Sequence, residues 1–245
     1  MCYHTSLNVP QPALKARYGA NLEEGKDWQP VIHANAYSVP AWPLVTVQQP
    51  KVLSLLEWGL IPHWTKAAPD AKKLRSMTIN CRYETMFEKP AFRSAAGAGR
   101  RCLIPVSGLF EWHTVGKKKY PFYIYPNNAE EGVVSIAGLW DEWADPETGE
   151  VRTTYTMLTR PANELMARIH NSKQRMPCLL TPEQEKAYLE ESLKKEEVLE
   201  LLTIPYESGK LEAYTISRRI TSRREPTDVP EVLELHEYVE MKGFD

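Results

Sequence analysis

Cysteine is scarce in this chain, with four among 245 residues, at positions 2, 81, 102 and 178. They form no CxxC pair and no short repeating interval. That argues against a structural zinc site or a disulfide scaffold and suits a reducing compartment. Long apolar runs are absent: no stretch reaches the ~18 residues that a membrane-spanning helix needs. Residues 1–18 lack the apolar core of a signal peptide, so the expected location is the cytoplasm. An excess of charge of one sign is lacking as well. Lys and Arg number 30 against 32 Asp and Glu, a net charge of −2. The chain is therefore not a bulk polycation. There is no internal repeat and no low-complexity segment.

What is present is an ordinary globular balance, 42% hydrophobic and 25% charged. A chain of this length can bury a sizeable core as one large domain. The 19 prolines are spread throughout and imply many short elements joined by turns. Apolar or alternating runs predict strands over residues 53–60, 102–112 (with a turn at Ser107-Gly108), 120–125, 133–139, 153–159 and 211–216. Lys117 to Lys119 reads as a hairpin tip. Helices are predicted over residues 161–168, from Pro182 to about residue 191, and over 194–202. The second has Thr181 as N-cap, Pro182 at the first position and Gln184 at the third. Strands outnumber helices without alternating regularly, so the fold class is α+β in a single domain over residues 1–245. The last twenty or so residues read as a peripheral tail.

Charge is unevenly distributed. Lys72, Lys73, Arg75, Arg82, Lys89, Arg93, Arg100 and Arg101 face only Glu84 and Glu88 within residues 72–101, and residues 217–224 read Ser-Arg-Arg-Ile-Thr-Ser-Arg-Arg. A local basic face on a near-neutral protein fits a polyanion-binding cleft, although solvated surface charge produces the same pattern. The acidic stretch 183–200 fits the solvated face of the two late helices.

Four segments carry reactive groups: Met1-Cys2-Tyr3-His4, Thr78 to Glu84, Gly108-Leu109-Phe110-Glu111-Trp112, and Arg168-Ile169-His170 with Arg175-Met176-Pro177. Removal of Met1 would leave Cys2 with an α-amine and a thiol on adjacent carbons. Their reference pKa values are about 7.7–8.0 and 8.5, so both are partly deprotonated near neutral pH. Such a pair can capture an aldehyde as a Schiff base and close it to a thiazolidine. Each residue also has a plain structural role open to it. Asn80 can cap a turn, Glu111 can point from a strand to solvent, and His170 can satisfy the end of a helix.

The chain resembles the SRAP (SOS-response-associated peptidase) family, proteins that crosslink to abasic sites in DNA. The resemblance runs from about Cys2 to Ser217. Its carriers are the Cys2 start, Glu57-Trp58-Gly59-Leu60-Ile61-Pro62-His63-Trp64, Ile79-Asn80-Cys81-Arg82-Tyr83-Glu84, residues 102–112, and Ala162-Asn163 through Ile169-His170 to Arg175-Met176-Pro177. It implies one α+β domain with a β-rich, barrel-like core surrounded by short helices. It implies that Cys2, exposed by loss of Met1, bonds to the ring-opened aldehyde of an abasic site in single-stranded DNA, with Asn80, Glu111 and His170 completing the site. Glu111 would donate or shuttle protons, His170 would act on the opened sugar oxygen and in crosslink reversal, and Asn80 would orient the amine. Arg82 matches a phosphate-holding position and Trp64 a position beside the flanking bases. His4, Arg75 and Arg175 join them as candidate DNA contacts. The implied protein works in the DNA damage response, needs no cofactor or metal, acts as a monomer, and associates with the nucleoid when bound.

Other readings stay open: a cysteine-type peptidase, including self-processing at Cys2; a non-covalent binder of single-stranded or modified DNA; and a metal site built from Cys2 and His4 with Cys81 or Cys102. The chain departs from the family pattern in three places. Tyr3-His4 stands where the family usually has Gly-Arg. Cys81 replaces an alanine. Four residues, 171–174, stand between His170 and Arg175, where the family usually has one.

Overall fold

The computed structural model describes residues 2–127, 132–241 and 244, so Met1 lies outside the described residues. Fourteen strands and six short α-helices are recorded among them. The strands are β1 His4–Leu7, β2 Asn21–Leu22, β3 Val31–Asn35, β4 Ala41–Thr46, β5 Val52–Trp58, β6 Asn80–Arg82, β7 Arg101–Val106, β8 Gly108–Val115, β9 Lys118–Pro126, β10 Val134–Ala144, β11 Val151–Pro161, β12 Arg175–Pro177, β13 Leu179–Leu180 and β14 Leu211–Thr215. The helices are α1 Gln11–Tyr18, α2 Ala68–Met77, α3 Arg93–Gly97, α4 Glu164–Ile169, α5 Pro182–Tyr188 and α6 Lys195–Thr203.

Five strands close on themselves. The antiparallel path β11-β10-β7-β4-β5 returns to β11 through a parallel contact, Thr154 to Glu57 and Tyr155 to Trp58. Closure removes the exposed edges that an open sheet would carry. The short β6 also runs parallel to β11, with Asn80 beside Met157 and Arg82 beside Thr159. The indole of Trp58, buried in the barrel, donates to Ile79 O at 3.0 Å and ties the two parallel partners together.

A second sheet, β14-β9-β8-β1-β3, packs beside the barrel. The chain passes from one to the other at Ser107-Gly108, where the sequence predicts a turn. It is a corner: β7 ends in the barrel and β8 begins in the outer sheet. Ser107 Oγ accepts from Asn8 N at 2.8 Å, and the Tyr123 hydroxyl donates to Ser107 O. A Cβ on Gly108 would lie 2.3 Å from the Tyr123 ring, so no side chain fits there. The β8–β9 turn is Gly116-Lys117, with the positive φ of 58° on the glycine.

The predicted strands are present, though 102–112 divides into β7 and β8 at the corner. Thr181 and Gln184 form the expected capping box of α5. The helix predicted from residue 161 begins later. Pro161 ends β11, paired with Arg175, and the Asn163 side chain caps α4 by accepting from Met166 N at 3.0 Å. Proline disfavours helical backbone in the residue before it, so Arg160 stays extended. The last twenty or so residues are fastened to the outer sheet. Leu235 bridges to Ile216, the Tyr238 hydroxyl donates to Ile216 O at 2.8 Å, and Asp228 Oδ1 accepts from Ile32 N and His33 N at 2.7 and 3.1 Å.

Candidate active site

The site forms where β1, β6, β8 and α4 meet. β1 lies between β8 and β3, with Thr5 opposite Leu109 and Ser6 opposite Gly108. That pairing carries the start of the chain toward the middle of β8, and Cys2 is 1% exposed. Asn80 Nδ2 donates to Cys2 O at 2.9 Å. Asn80 Oδ1 is buried with no partner, an acceptor aimed into the site. Side chains alternate along β6, so Arg82 shares the Asn80 side while Cys81 turns away into the core.

Glu111 is buried on β8, not directed to solvent. Leu109, on the same strand face, belongs to the main core, whereas Phe110 packs in a separate cluster with Trp112 against it. Glu111 Oε1 has no hydrogen-bond partner, and Oε2 lies 3.8 Å from His170 Nδ1. Burial, first, and the adjacent Glu111 carboxylate, second, push the Cys2 thiol well above its ordinary pKa. The thiol is thus held protonated next to a carboxylate oxygen free to receive its proton.

His170 follows α4 directly. Its Nδ1 lies 2.9 Å from Arg175 O, and a carbonyl can only accept, so Nδ1 carries the proton in that bond. Residues 171–174 fold as a turn closed by Gln174 N to His170 O at 2.9 Å, with Gln174 at φ 50°. Asn171 exchanges hydrogen bonds with both the N–H and the C=O of Thr114, at 3.0 and 2.9 Å. His113 Nδ1 donates to Arg168 O at 2.7 Å. These contacts clamp α4 and its loop to β8, so the longer loop holds His170 beside Glu111.

The cavity above these residues measures about 490 Å³. Glu111 and His170 lie in its lining with Tyr3, His4 and Trp112, and Lys119, Lys173 and Arg218 complete it with three hydroxyl residues. Glu111 is the one acidic residue lining it. Sequence reasoning missed Lys119 and Lys173. Arg218 lay in the basic run 217–224, but nothing in that run showed what it faced.

The family model described as SOS response associated peptidase (SRAP) matches residues 1–223. The chain belongs to the SRAP family. It is 37% identical over 185 residues to the "Abasic site processing protein YoqW" of Bacillus subtilis, covering 75% of this chain and 77% of that protein. It is 28% identical over 226 residues to the "Abasic site processing protein YMR114C" of Saccharomyces cerevisiae, covering 88% of this chain and 58% of that one. A crystal structure of a protein from Bacteroides thetaiotaomicron superposes with a TM-score of 0.87 at 35% identity, covering 96% of this chain and 100% of that one.

In this SRAP chain the residues expected to touch DNA are deployed unequally. Arg82 is exposed at the end of β6. Trp64 is 46% exposed and lines a different cavity with Lys66, Lys73 and Met77. Its segment is pinned from below, where Thr154 Oγ1 accepts from Ile61 N at 2.8 Å and buried Asp141 accepts from His63 N at 3.0 Å. Arg75 departs from the expectation: it is buried, its Nε donates to Trp58 O, and its guanidinium lies 2.8 Å from the Glu57 carboxylate. Its charge is spent inside the fold. Arg175 is likewise turned inward, gripping Glu84 through two nitrogens at 2.5 and 3.0 Å and donating to Thr159 O at 2.7 Å.

His4 stacks on His33 with ring centroids 5.0 Å apart, and its Nδ1 lies 2.8 Å from His33 Nε2. Burial, then the facing ring, lowers the His4 pKa to about 4. His4 is therefore neutral at pH 7. Cys81 and Cys102 are buried core thiols. Among the described residues no group of three or more His, Cys, Asp or Glu side chains is arranged to hold a metal ion. Nor does any described helix have the length and apolarity to cross a membrane.

Proposed function

We propose that this SRAP protein processes abasic sites by linking Cys2 covalently to the aldehyde of an abasic residue in single-stranded DNA. The carrying observation is the buried Cys2 thiol against the Glu111 carboxylate, with the Asn80 amide on the Cys2 carbonyl.

The chemistry begins once Met1 is removed and the Cys2 nitrogen becomes an amine. Its lone pair attacks the aldehyde carbon of the ring-opened sugar, and proton transfers give a carbinolamine. Loss of water yields the Schiff base. The Cys2 sulfur then adds to the imine carbon and closes the five-membered ring. The thiol proton passes to Glu111 and from there to the ring nitrogen, so one water leaves overall. Asn80 Oδ1 accepts from the amine nitrogen. His170 serves the opened sugar oxygen and the reverse reaction. Arg82 serves a phosphate.

The peptidase reading fares worse on the same observations. Nucleophilic cysteines are activated by a depressed pKa or an adjacent base that forms the thiolate. Glu111 is such a base, but burial and its carboxylate keep the resting thiol protonated, which favours an amine that attacks first and a thiol that closes the ring second, as its proton leaves. The family match to proteins named for abasic-site processing supports the same substrate.

The test is incubation with a single-stranded oligonucleotide carrying one abasic site. The expected product is heat-stable and weighs the sum of the partners less one water. Cys2→Ala should form none. A heat-stable adduct with Cys2→Ala, or an undiminished one on a chain whose Met1 cannot be removed, would overturn the mechanism.

A further inference from the structure

The cavity lined by Glu111 and His170 is charged unevenly. At its base is Glu111; around its mouth stand Lys119, Lys173 and Arg218, with Thr114, Ser172 and Thr221 between them. All three basic residues are exposed, and among the described residues none of them pairs with a carboxylate. Three cations and three hydroxyls around a concave mouth suit a phosphodiester, whose oxygens take hydrogen bonds from both.

Arg218 is the ordered member. Its guanidinium carbon sits 4.9 Å from the Tyr120 ring centroid and 5.4 Å from that of Tyr238. Its Nε donates to Lys119 O at 3.2 Å. The two rings meet edge to face, with centroids 5.0 Å apart. An arginine already set against aromatic faces loses less freedom on taking a phosphate than one waving in solvent. Tyr238 belongs to the segment beyond residue 223, where the family match ends. That segment is fastened near Arg218 by Lys118 to Glu240 at 2.9 Å, and by His236 N to Thr215 O at 2.9 Å.

We infer that Arg218, with Lys119 and Lys173, forms a phosphodiester subsite at the mouth of the cavity lined by Glu111 and His170, and that the C-terminal segment sets Arg218 in place through Tyr238. The inference rests on the reading of this cavity as a DNA site. It assigns a phosphate next to the reacting sugar to residues that are not among the DNA contacts expected from the sequence. It also supplies positive charge on the side of the cavity where His4 is neutral.

The test is non-covalent, so that it is separable from the crosslink. In a Cys2→Ala background, affinity for an intact labelled single-stranded oligonucleotide is measured from 50 to 200 mM salt, values chosen on the order of those over which phosphate contacts are resolved. Arg218→Gln should bind about fivefold more weakly, and the slope of log affinity against log salt should shrink by roughly 0.7, one phosphate contact on a single strand. An unchanged affinity and slope overturn the subsite. Tyr238→Phe keeps the ring under the guanidinium and should bind like the parent, whereas Tyr238→Leu should lose about threefold at an unchanged circular-dichroism spectrum. Equal affinities for the two overturn the role of the segment. If the unsubstituted chain forms no adduct with abasic DNA, the crosslink reading fails while these slopes remain readable.

Discussion

The side-chain amide of Asn80 holds the main-chain carbonyl of Cys2 at 2.9 Å, across 78 positions of sequence. One group thereby fixes the backbone of Cys2 and carries a second, unpartnered oxygen. Replacing Asn80 by Ala removes both. A buried hydrogen bond of this kind is worth about 1 kcal/mol to the fold, and adduct formation should slow roughly tenfold, the loss of about one such interaction in the transition state. Single-turnover crosslinking beside a thermal melt checks both. A normal crosslinking rate in a destabilised protein would reduce Asn80 to a structural role.

The order of bond formation is open to a second test. Cys2→Ser keeps the α-amine and replaces the sulfur. It should form an adduct that is trapped by borohydride reduction but is lost on heating without it. A heat-stable adduct with no reductant would show that the sulfur is not what locks the ring.

His170→Ala should leave crosslinked material accumulating while its reversal slows, by about 10²-fold, the usual scale of one positioned acid–base group. The measurement is release of intact DNA from purified adduct. Reversal at the parental rate would remove His170 from that step.

The facing histidines predict an acid limit to stability. Burial lowers both His4 and His33 from 6.5 to about 4 in the folded chain. One shared hydrogen bond at 2.8 Å also needs one ring to donate and the other to accept. Asp228, bonded to the His33 backbone N–H, pulls the other way on His33. Unfolding between pH 6.5 and 4 takes up protons, so stability is full above 6.5 and falls as the pH drops toward 4. The melting temperature should be on the order of 5 °C lower at about pH 5 than at about pH 7. His33→Phe, which keeps the stacked ring, should shrink that difference. An unchanged difference would assign the acid limit to other groups.

Arg82 and Arg175 should separate in a salt titration of DNA binding. Arg82 is exposed, and its replacement by Gln should flatten the salt dependence by roughly 0.7 in slope. Arg175→Gln should leave the slope intact and lower the melting temperature, because it strips Glu84 of two hydrogen bonds. The reverse pattern would mean that Arg175 leaves Glu84 when DNA arrives.

Residue type and motif made Cys2, Asn80, Glu111 and His170 legible, and the strand-rich character of 102–112 and 153–159 pointed to the fold class. Their convergence was not legible, because it depends on β1 entering between β8 and β3, a pairing of residues 5 and 109 that no local pattern encodes. The burial of Glu111 turns on which face of β8 meets the core, and its aromatic neighbours suit either face. Arg75 and Arg175 read as free cations because their partners, Glu57 and Glu84, are chosen by tertiary packing. Helix α1 and strands β1, β3 and β4 escaped notice because they are short, and three of them (α1, β3 and β4) adjoin or contain proline.

The depth of Cys2 bears on what would happen after the reaction. At 1% exposure Cys2 is buried in the fold, so a ring closed there would be walled off from dissolved thiols and amines that could exchange with it. An adduct of this kind would outlast the same thiazolidine on a free peptide. Its lifetime would be set by how long the protein stays folded, and unfolding or digestion of the chain would be the event that exposes the lesion again.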